Sequence, residues 1–267
     1  MVSTRVPTAL SIAGSDSGGG AGIQADLKAF ARCGVHGMTA ITAITAQNTV
    51  GVSAVEAISP ATIVAQVRAV VEDIGVDAVK IGMLGTVETV DAVVEALSLV
   101  GDAPVVVDPV MVAESGAVLL DDGARAALVE RLLPLAAVIT PNIPEARVLA
   151  GAGDDATQEE LARAVLALGP AAVVVTGGHS ERGDDVFLDG REAVAIRGER
   201  HPEGAAHGSG CTHSSVLAAR LAHGDTPFEA ARVARRIASD AVGAGLREIG
   251  SGAGPVDVFG LASGPPQ

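Results

Sequence analysis

Apolar positions along the chain switch repeatedly between two periods. Val6 to Ile12 is a β-prone run, and beyond a Gly-rich loop Ile23, Leu27 and Phe30 recur at i, i+4 and i+7. That spacing predicts a strand, then a helix stopped by Gly34. Met38 to Ala46 alternates as a strand does, and Ser59-Pro60 opens a helix with Ile63, Val67, Val70 and Val71 as its stripe. Further strands are predicted at Ala78 to Ile81, Val105 to Val107, Ala137 to Thr140 and Ala172 to Val175. Helices are predicted between them, over roughly Thr86 to Val100, Ala124 to Leu133 and Gln158 to Leu168. Strands alternating with helices at this spacing predict a mainly parallel sheet with helices on both faces and right-handed connections. The pattern breaks at Asp185 to Leu188 and Ala193 to Ile196, joined across Asp189-Gly190, which reads as a β-hairpin forming an antiparallel edge. Two helices follow, one beginning near Cys211 and one over about Pro227 to Gly243. No repeat or linker divides the chain, so residues 1–267 read as a single domain, with about 254–267, rich in Gly and Pro, as a surface tail.

Composition narrows the class. With 48% hydrophobic and 19% charged residues, the 267-residue chain is too apolar to be disordered and long enough to bury a core. A formal net charge of −14, without basic patches, excludes a nucleic-acid surface. No apolar run reaches the length of a membrane span and the N-terminus carries no secretory pattern, so a cytoplasmic protein is expected. Cys33 and Cys211 form neither a disulfide framework nor a metal-ligand spacing. Without Trp or Tyr, a planar ligand must be gripped by aliphatic walls and backbone.

Candidate chemistry gathers at predicted strand ends. Asp16, Gln47, Lys80, Asp108, Asn142 with Glu145, and Thr176 each lie at or just past one, and in an open α/β sheet those ends share one edge. Capping or turn roles are the simpler reading for Asp16, Lys80 and Thr176. Asp108, set between a β-run and a proline, and the Asn142-x-x-Glu145 pair are read as functional. The loop from Ala13 to Gly22 fits neither GxGxxG nor the P-loop. The stretch from Gly208 through Ser209 and Gly210 to Cys211 opens a helix, where free N–H groups and the positive dipole end make an anion cradle. A thiol at that first turn is expected to have its pKa lowered below the free value of about 8.5. These parts suit phosphoryl transfer: carboxylates Asp108 and Glu145 to hold Mg²⁺, largely through water, and the cradle to hold the group in flight. Gln47, donor and acceptor at once, suits the edge of an aminopyrimidine or pyridine ring. The six histidines fit no zinc pattern, and His179, His207 and His213 are read as hydrogen-bonding or solvated. Met83 after its strand and Cys33 at a helix end read as packing residues.

The order AGSDSGGGAGIQADLK (13–28), TAQNTVGV (45–52), KIGML (80–84), DPVM (108–111), TPNIPEA (140–146), GGH (177–179) and HGSGCT (207–212) resembles the hydroxymethylpyrimidine/phosphomethylpyrimidine kinases of thiamine biosynthesis, within the ribokinase-like superfamily. The resemblance spans nearly the whole chain. It implies a three-layer α/β/α fold and ATP-dependent phosphorylation of 4-amino-5-hydroxymethyl-2-methylpyrimidine, then of its monophosphate to the diphosphate. It implies that Gln47 reads the pyrimidine edge and that Gly14, Ala21, Asp26, Met83 and Val110 help form its pocket. Asp108, Asn142 and Glu145 match the metal and phosphate region, Thr176 and Gly177 fall in the nucleotide region, and Gly208 to Cys211 match the anion hole. Most of the wider superfamily carries an aspartate base where Cys211 stands, so cysteine there marks the hydroxymethylpyrimidine branch, with Cys211 as a weak base. Two residues depart from the pattern: Thr176 stands where relatives read Lys before Gly-Gly-His, a gap that Lys80 or Arg182 could fill, and Ser209 replaces a threonine. The resemblance also implies a homodimer. Two alternatives remain, a pyridoxal kinase of the same superfamily and a pyrimidine-binding sensor without catalysis.

Overall fold

The computed structural model describes residues 5–113, 116–117, 119–178, 183–202 and 204–264. Its elements in chain order are β1 (Thr8–Asp16), α1 (Gly22–Arg32), β2 (His36–Asn48), β3 (Gly51–Ala57), α2 (Pro60–Asp73), β4 (Ala78–Ile81), α3 (Val87–Leu97), β5 (Val105–Val107), α4 (Asp122–Ala127), β6 (Val138–Ile139), α5 (Ile143–Ala150), α6 (Gln158–Leu166), β7 (Val173–Val175), β8 (Asp185–Leu188), β9 (Val194–Ile196), α7 (Ser209–Ala222) and α8 (Pro227–Gly243). The described strands make one sheet ordered β3-β2-β1-β4-β5-β6-β7-β8-β9. Pairings from β2 through β7 are parallel, and β3, β8 and β9 add antiparallel.

The central strands are short and valine-rich because both faces are covered. In β5 and β7 the residues alternate between two cores: Val105, Val107, Val173 and Val175 pack with α2, α3, α4, α5 and α6, whereas Val106 and Val174 pack with α1, α7 and α8. The three-layer architecture follows from this alternation. The expected hairpin is β8–β9. A second antiparallel strand, β3, lies at the other edge; its residues 53–57 are exposed, so neither face imposed an apolar alternation that sequence could reveal.

Local chemistry sets several boundaries. Ser59 caps α2 by accepting from the Thr62 N–H, with Pro60 at the first helical position. The helix expected over Ala124 to Leu133 is shorter: after α4 the chain widens into a π-turn over Leu128–Leu132 and ends in a 3-10 turn containing Pro134, which has no N–H to continue the ladder. The surface tail expected from about 254 needs correction. Val256 and Val258 are each 7% exposed and pack beside Ala241, while the Val256 N–H donates to His207 O at 3.1 Å. Two valines spaced by one residue find an apolar patch on α8, and exposure resumes only at Phe259.

One buried polar junction fastens the layers. Lys80 Nζ on β4 lies 2.9 Å from Asp26 Oδ1 on α1, both side chains 0% exposed. Ser11 Oγ on β1 donates to Asp26 Oδ2 at 2.5 Å, and Ser215 Oγ on α7 to Oδ1 at 2.7 Å. Removing one partner of such a pair strands the other charge in the core. Lys80→Met is therefore expected to destabilise the fold by about 3–5 kcal/mol in urea unfolding, and adding Asp26→Leu should recover much of that loss. Equal midpoints for Lys80→Met and wild type would refute it.

Candidate active site

The carboxyl ends of the parallel strands open on a cavity of about 400 Å³. Gly14, Ala21, Gln47, Met83 and Val110 line one part of it, and Asp108, Asn142, Glu145, Thr176 and Gly208 to Cys211 also line it. Two predicted residues do not. Asp26 lies beneath the floor, bonded to Lys80, Ser11 and Ser215, so it supports the pocket without facing it. Gly177 is turned away, its N–H donating to Asp185 Oδ1 at 2.8 Å.

The start of α7 is the centre of the site. Gly208 adopts φ +83, and a Cβ there would stand 1.8 Å from Gly20 O, so only glycine lets the helix start this close to the Gly-rich loop. The Thr212 N–H is bonded back to Gly208 O at 2.9 Å. Gly210 and Cys211 precede it, at positions whose N–H groups have no intrahelical partner. The cradle is narrower than the sequence suggests, because the Ser209 N–H is committed to Ala206 O at 2.9 Å. Thr212, His213, Ser214 and Ser215 are all buried. As the helix turns, Ser214 Oγ donates to Asp108 Oδ2 at 2.9 Å and Ser215 to Asp26, while His213 Nε2 lies 3.2 Å from Asp185 Oδ2.

The electrostatics correct one expectation. Burial pushes the Cys211 thiol up to about 12, and neither the Lys80 ammonium nor the Gly22 N–H offsets that. Although the residue as a whole is half-buried, its thiol is desolvated, and desolvation outweighs the helix terminus. The thiol is therefore neutral at physiological pH rather than activated. Burial disfavours charge on Lys80, but Asp26 more than offsets it and holds the ammonium above the ordinary lysine value. Asp108 is raised by burial despite Lys80 and Ser214. Burial, then the nearby Asp108 charge, pushes Glu145 up to about 8.

The Asn142-x-x-Glu145 pair has a structural role that the sequence reading did not assign. Asn142 Oδ1 accepts from the Glu145 N–H at 2.8 Å and Glu145 Oε2 from the Asn142 N–H at 2.9 Å, a capping box that starts the unexpected helix α5. Glu145 Oε1 lies 3.5 Å from the Met111 N–H. The cap aims both side chains at the cavity edge beside Asp108.

Asp16 organises the loop before α1, as the capping reading expected. It accepts from the N–H groups of Gly18, Gly20 and Ala21 at 2.8–3.0 Å, and His207 Nε2 lies 3.1 Å from its Oδ2. Burial opposes its charge, yet His207 and these amides hold the carboxyl below its ordinary value. Ser17 ties the same loop to the Gln47 backbone at 2.6 and 2.8 Å. Loop, cradle and Gln47 thus form one connected wall.

Residues 16–257 match the model of the phosphomethylpyrimidine kinase family. The chain belongs to that family. It is 50% identical over 257 residues to a hydroxymethylpyrimidine/phosphomethylpyrimidine kinase of Rhizobium meliloti, covering 94% of this chain and 96% of that one. It is 46% identical to the thiamine biosynthesis bifunctional protein ThiED of Geobacter sulfurreducens, over 93% of this chain and 51% of that protein. An ADP complex of Bacillus subtilis pyridoxal kinase superposes with TM-score 0.88 at 38% identity, covering 97% and 99% of the two chains.

In this kinase, the structure adds lining residues that sequence reasoning missed, chiefly Arg235 and Ser239 on α8. A signal existed: Arg235 sits between Ala231 and Ala238 on the buried stripe, where a charge is out of place. His179 and Arg182, weighed from sequence, lie outside the described residues. Among the described residues no cluster of three His, Cys, Asp or Glu could hold a metal ion. No helix among them is long and apolar enough to cross a membrane.

Because Glu145 rises from 4.5 to about 8, the folded chain keeps a proton that the unfolded chain releases. Stability should therefore decline as pH rises between those values and level off above. Glu145→Gln, which preserves the cap's acceptor, should flatten that slope in urea unfolding from pH 5 to 8. An unchanged slope would remove Glu145 as its source.

Proposed function

We propose that the kinase phosphorylates the hydroxymethyl group of 4-amino-5-hydroxymethyl-2-methylpyrimidine, then the resulting monophosphate, using ATP, in thiamine biosynthesis. The observation that carries this reading is the placement of Gln47 and the Gly208–Cys211 cradle on one cavity. Thr45 Oγ1 lies 3.1 Å from Gln47 Oε1, which leaves the Gln47 amide nitrogen to donate to a ring nitrogen. Met83 and Val110 supply aliphatic walls for a flat ring. The Gly210 and Cys211 amides are suited to the transferred phosphoryl oxygens, with Ser209 shaping the turn.

Asp108 and Glu145 fit Mg²⁺. Both are pushed up by burial, and the Asp108 charge raises Glu145 further, so a divalent cation beside them would offset the cost of ionising both. Two carboxylates leave the rest of an octahedral shell to water and phosphate oxygens, as Mg²⁺ prefers. When bound, the ion supplies neutralisation of phosphate charge. Asn142 and Thr176, paired across a β-bridge, border the nucleotide side, with Gly177 fixing the backbone behind them.

With a neutral thiol, Cys211 contributes its N–H and a wall against the substrate hydroxyl. A loose transition state asks little of a base, so positioning and electrostatics carry the rate. A coupled ADP-release assay is expected to show turnover that depends on the pyrimidine, with kcat/KM well above that for pyridoxal. Cys211→Ala should keep kcat within about tenfold, whereas a loss of about 10²–10⁴-fold would restore the base role. The pyridoxal kinase reading is favoured by the likeness to solved pyridoxal kinases, such as the one with TM-score 0.88, and a reversed kcat/KM order would select it. No ADP release with either substrate would select the sensor.

We read the active form as a cytoplasmic homodimer. Ile44, Val50 and Val55, at 50%, 61% and 54% exposure, crowd the β2–β3 edge, and apolar side chains on an exposed edge strand favour pairing. Sedimentation at micromolar concentration should give twice the 26.4 kDa chain mass, and Val55→Lys should halve it. A monomer in wild type would end that reading.

A further inference from the structure

Asp185, His213 and Arg235 meet on the wall of the cavity and take no part in the chemistry above. Asp185 opens β8, His213 lies in α7 two residues beyond Cys211, and Arg235 is midway along α8. Their exposures are 0%, 4% and 9%. Some of their polar atoms are used: Asp185 Oδ1 takes the Gly177 N–H, and Arg235 Nη2 donates to the carbonyls of Gly183 and Glu199. The rest face one another without bonding. His213 Nε2 is 3.2 Å from Asp185 Oδ2 and Arg235 Nε is 3.8 Å from Asp185 Oδ1. Yet Asp185 Oδ2, both His213 ring nitrogens and Arg235 Nε make no hydrogen bond. Roughly nine in ten buried polar atoms are paired, so three orphaned nitrogens beside one carboxylate mark a place that an acceptor-bearing ligand completes.

The charges on the cavity wall indicate which ligand. Thr176, at the end of β7, brings no cation. Lys80 is tied to Asp26, His207 to Asp16, and His201 to Ser239 at 3.0 Å. Of the cationic and imidazole side chains lining the cavity among the described residues, this leaves Arg200, which is exposed, and the buried Arg235 and His213. The phosphate donor's polyphosphate is the most highly charged group the cavity must accept. His213 is about 3 Å further along the helix axis than Cys211 and lines the same cavity, so both border the space open to a triphosphate whose end rests on the cradle.

We propose that the Asp185–His213–Arg235 cluster seats the polyphosphate of the nucleoside triphosphate donor. His213 and Arg235 donate to its oxygens, and Asp185 positions both. This rests on the kinase reading of the cavity. The test uses the full chain, with ATP varied at saturating hydroxymethylpyrimidine and ATP titrated separately by calorimetry. His213→Leu fills the same space without polar atoms. It is expected to raise the KM and Kd for ATP by about tenfold or more and to leave the pyrimidine KM within about twofold. Its thermal midpoint should hold or rise, because orphaned donors are removed from the interior. His213→Gln should recover part of the ATP affinity. An unchanged ATP Kd in a folded His213→Leu protein would overturn the proposal and leave the cluster as a hydrated polar core. Should His213→Leu not fold, Asp185→Asn in the same titration decides, with an unchanged Kd again overturning it. If wild type binds ATP but does not phosphorylate the pyrimidine, the substrate reading fails while the calorimetric arm still tests the cluster.

Discussion

The Lys80–Asp26 ion pair is the constraint around which the site is built. It joins β4 to α1, takes hydroxyls from β1 and α7, and excludes solvent from both charges. Pairs of this kind contribute little net stability, since desolvation offsets much of the attraction. Their effect is positional. An ammonium held in the core beside Asp108 and the Cys211 thiol needs a fixed carboxylate, and Asp26 can be that carboxylate only if α1 and α7 pack at one spacing and register. The layer on which the cradle stands is thereby aligned with the sheet edge that carries the carboxylates.

The polar run of α7 extends that alignment. Successive residues His213, Ser214 and Ser215 face Asp185, Asp108 and Asp26, each on a different element. A helix advances 100° per residue, so three neighbours can address three directions only if the helix is surrounded by polar partners. An apolar helix face would have packed as tightly but would have taken one hydroxyl donor each from Asp108 and Asp26, at a cost of roughly 1–3 kcal/mol or more each.

Burial in this cavity works against ionisation everywhere except where a partner is supplied. Asp16, with three amides and His207, stays ionised readily; Glu145 and Cys211, with fewer partners, are pushed toward neutrality. Charges brought into such a site meet prearranged dipoles in a poorly screened space, where each interaction is stronger than in water.

The strands, most helices and the antiparallel β8–β9 hairpin were legible because covered valine runs, Ser-Pro starts and glycine stops act locally. So was the convergence of Asp108, Gln47, Glu145 and the Gly208–Cys211 cradle, since parallel strands must bring their carboxyl ends to one edge. Strand β3 was hidden, as an exposed edge carries no apolar code, and α5 was hidden because its capping box resembled a ligand pair. Burial of residues 255–258 depended on a patch of α8 formed by distant packing. What chain order alone determined is the set of groups at the sheet edge. Only the tertiary structure decided their charge states and partners: that Cys211 is neutral, that Asp26 lies under the pocket, and that Arg235 reaches it. Desolvation and pairing depend on what packs around a group in three dimensions, and spacing along the chain does not encode that.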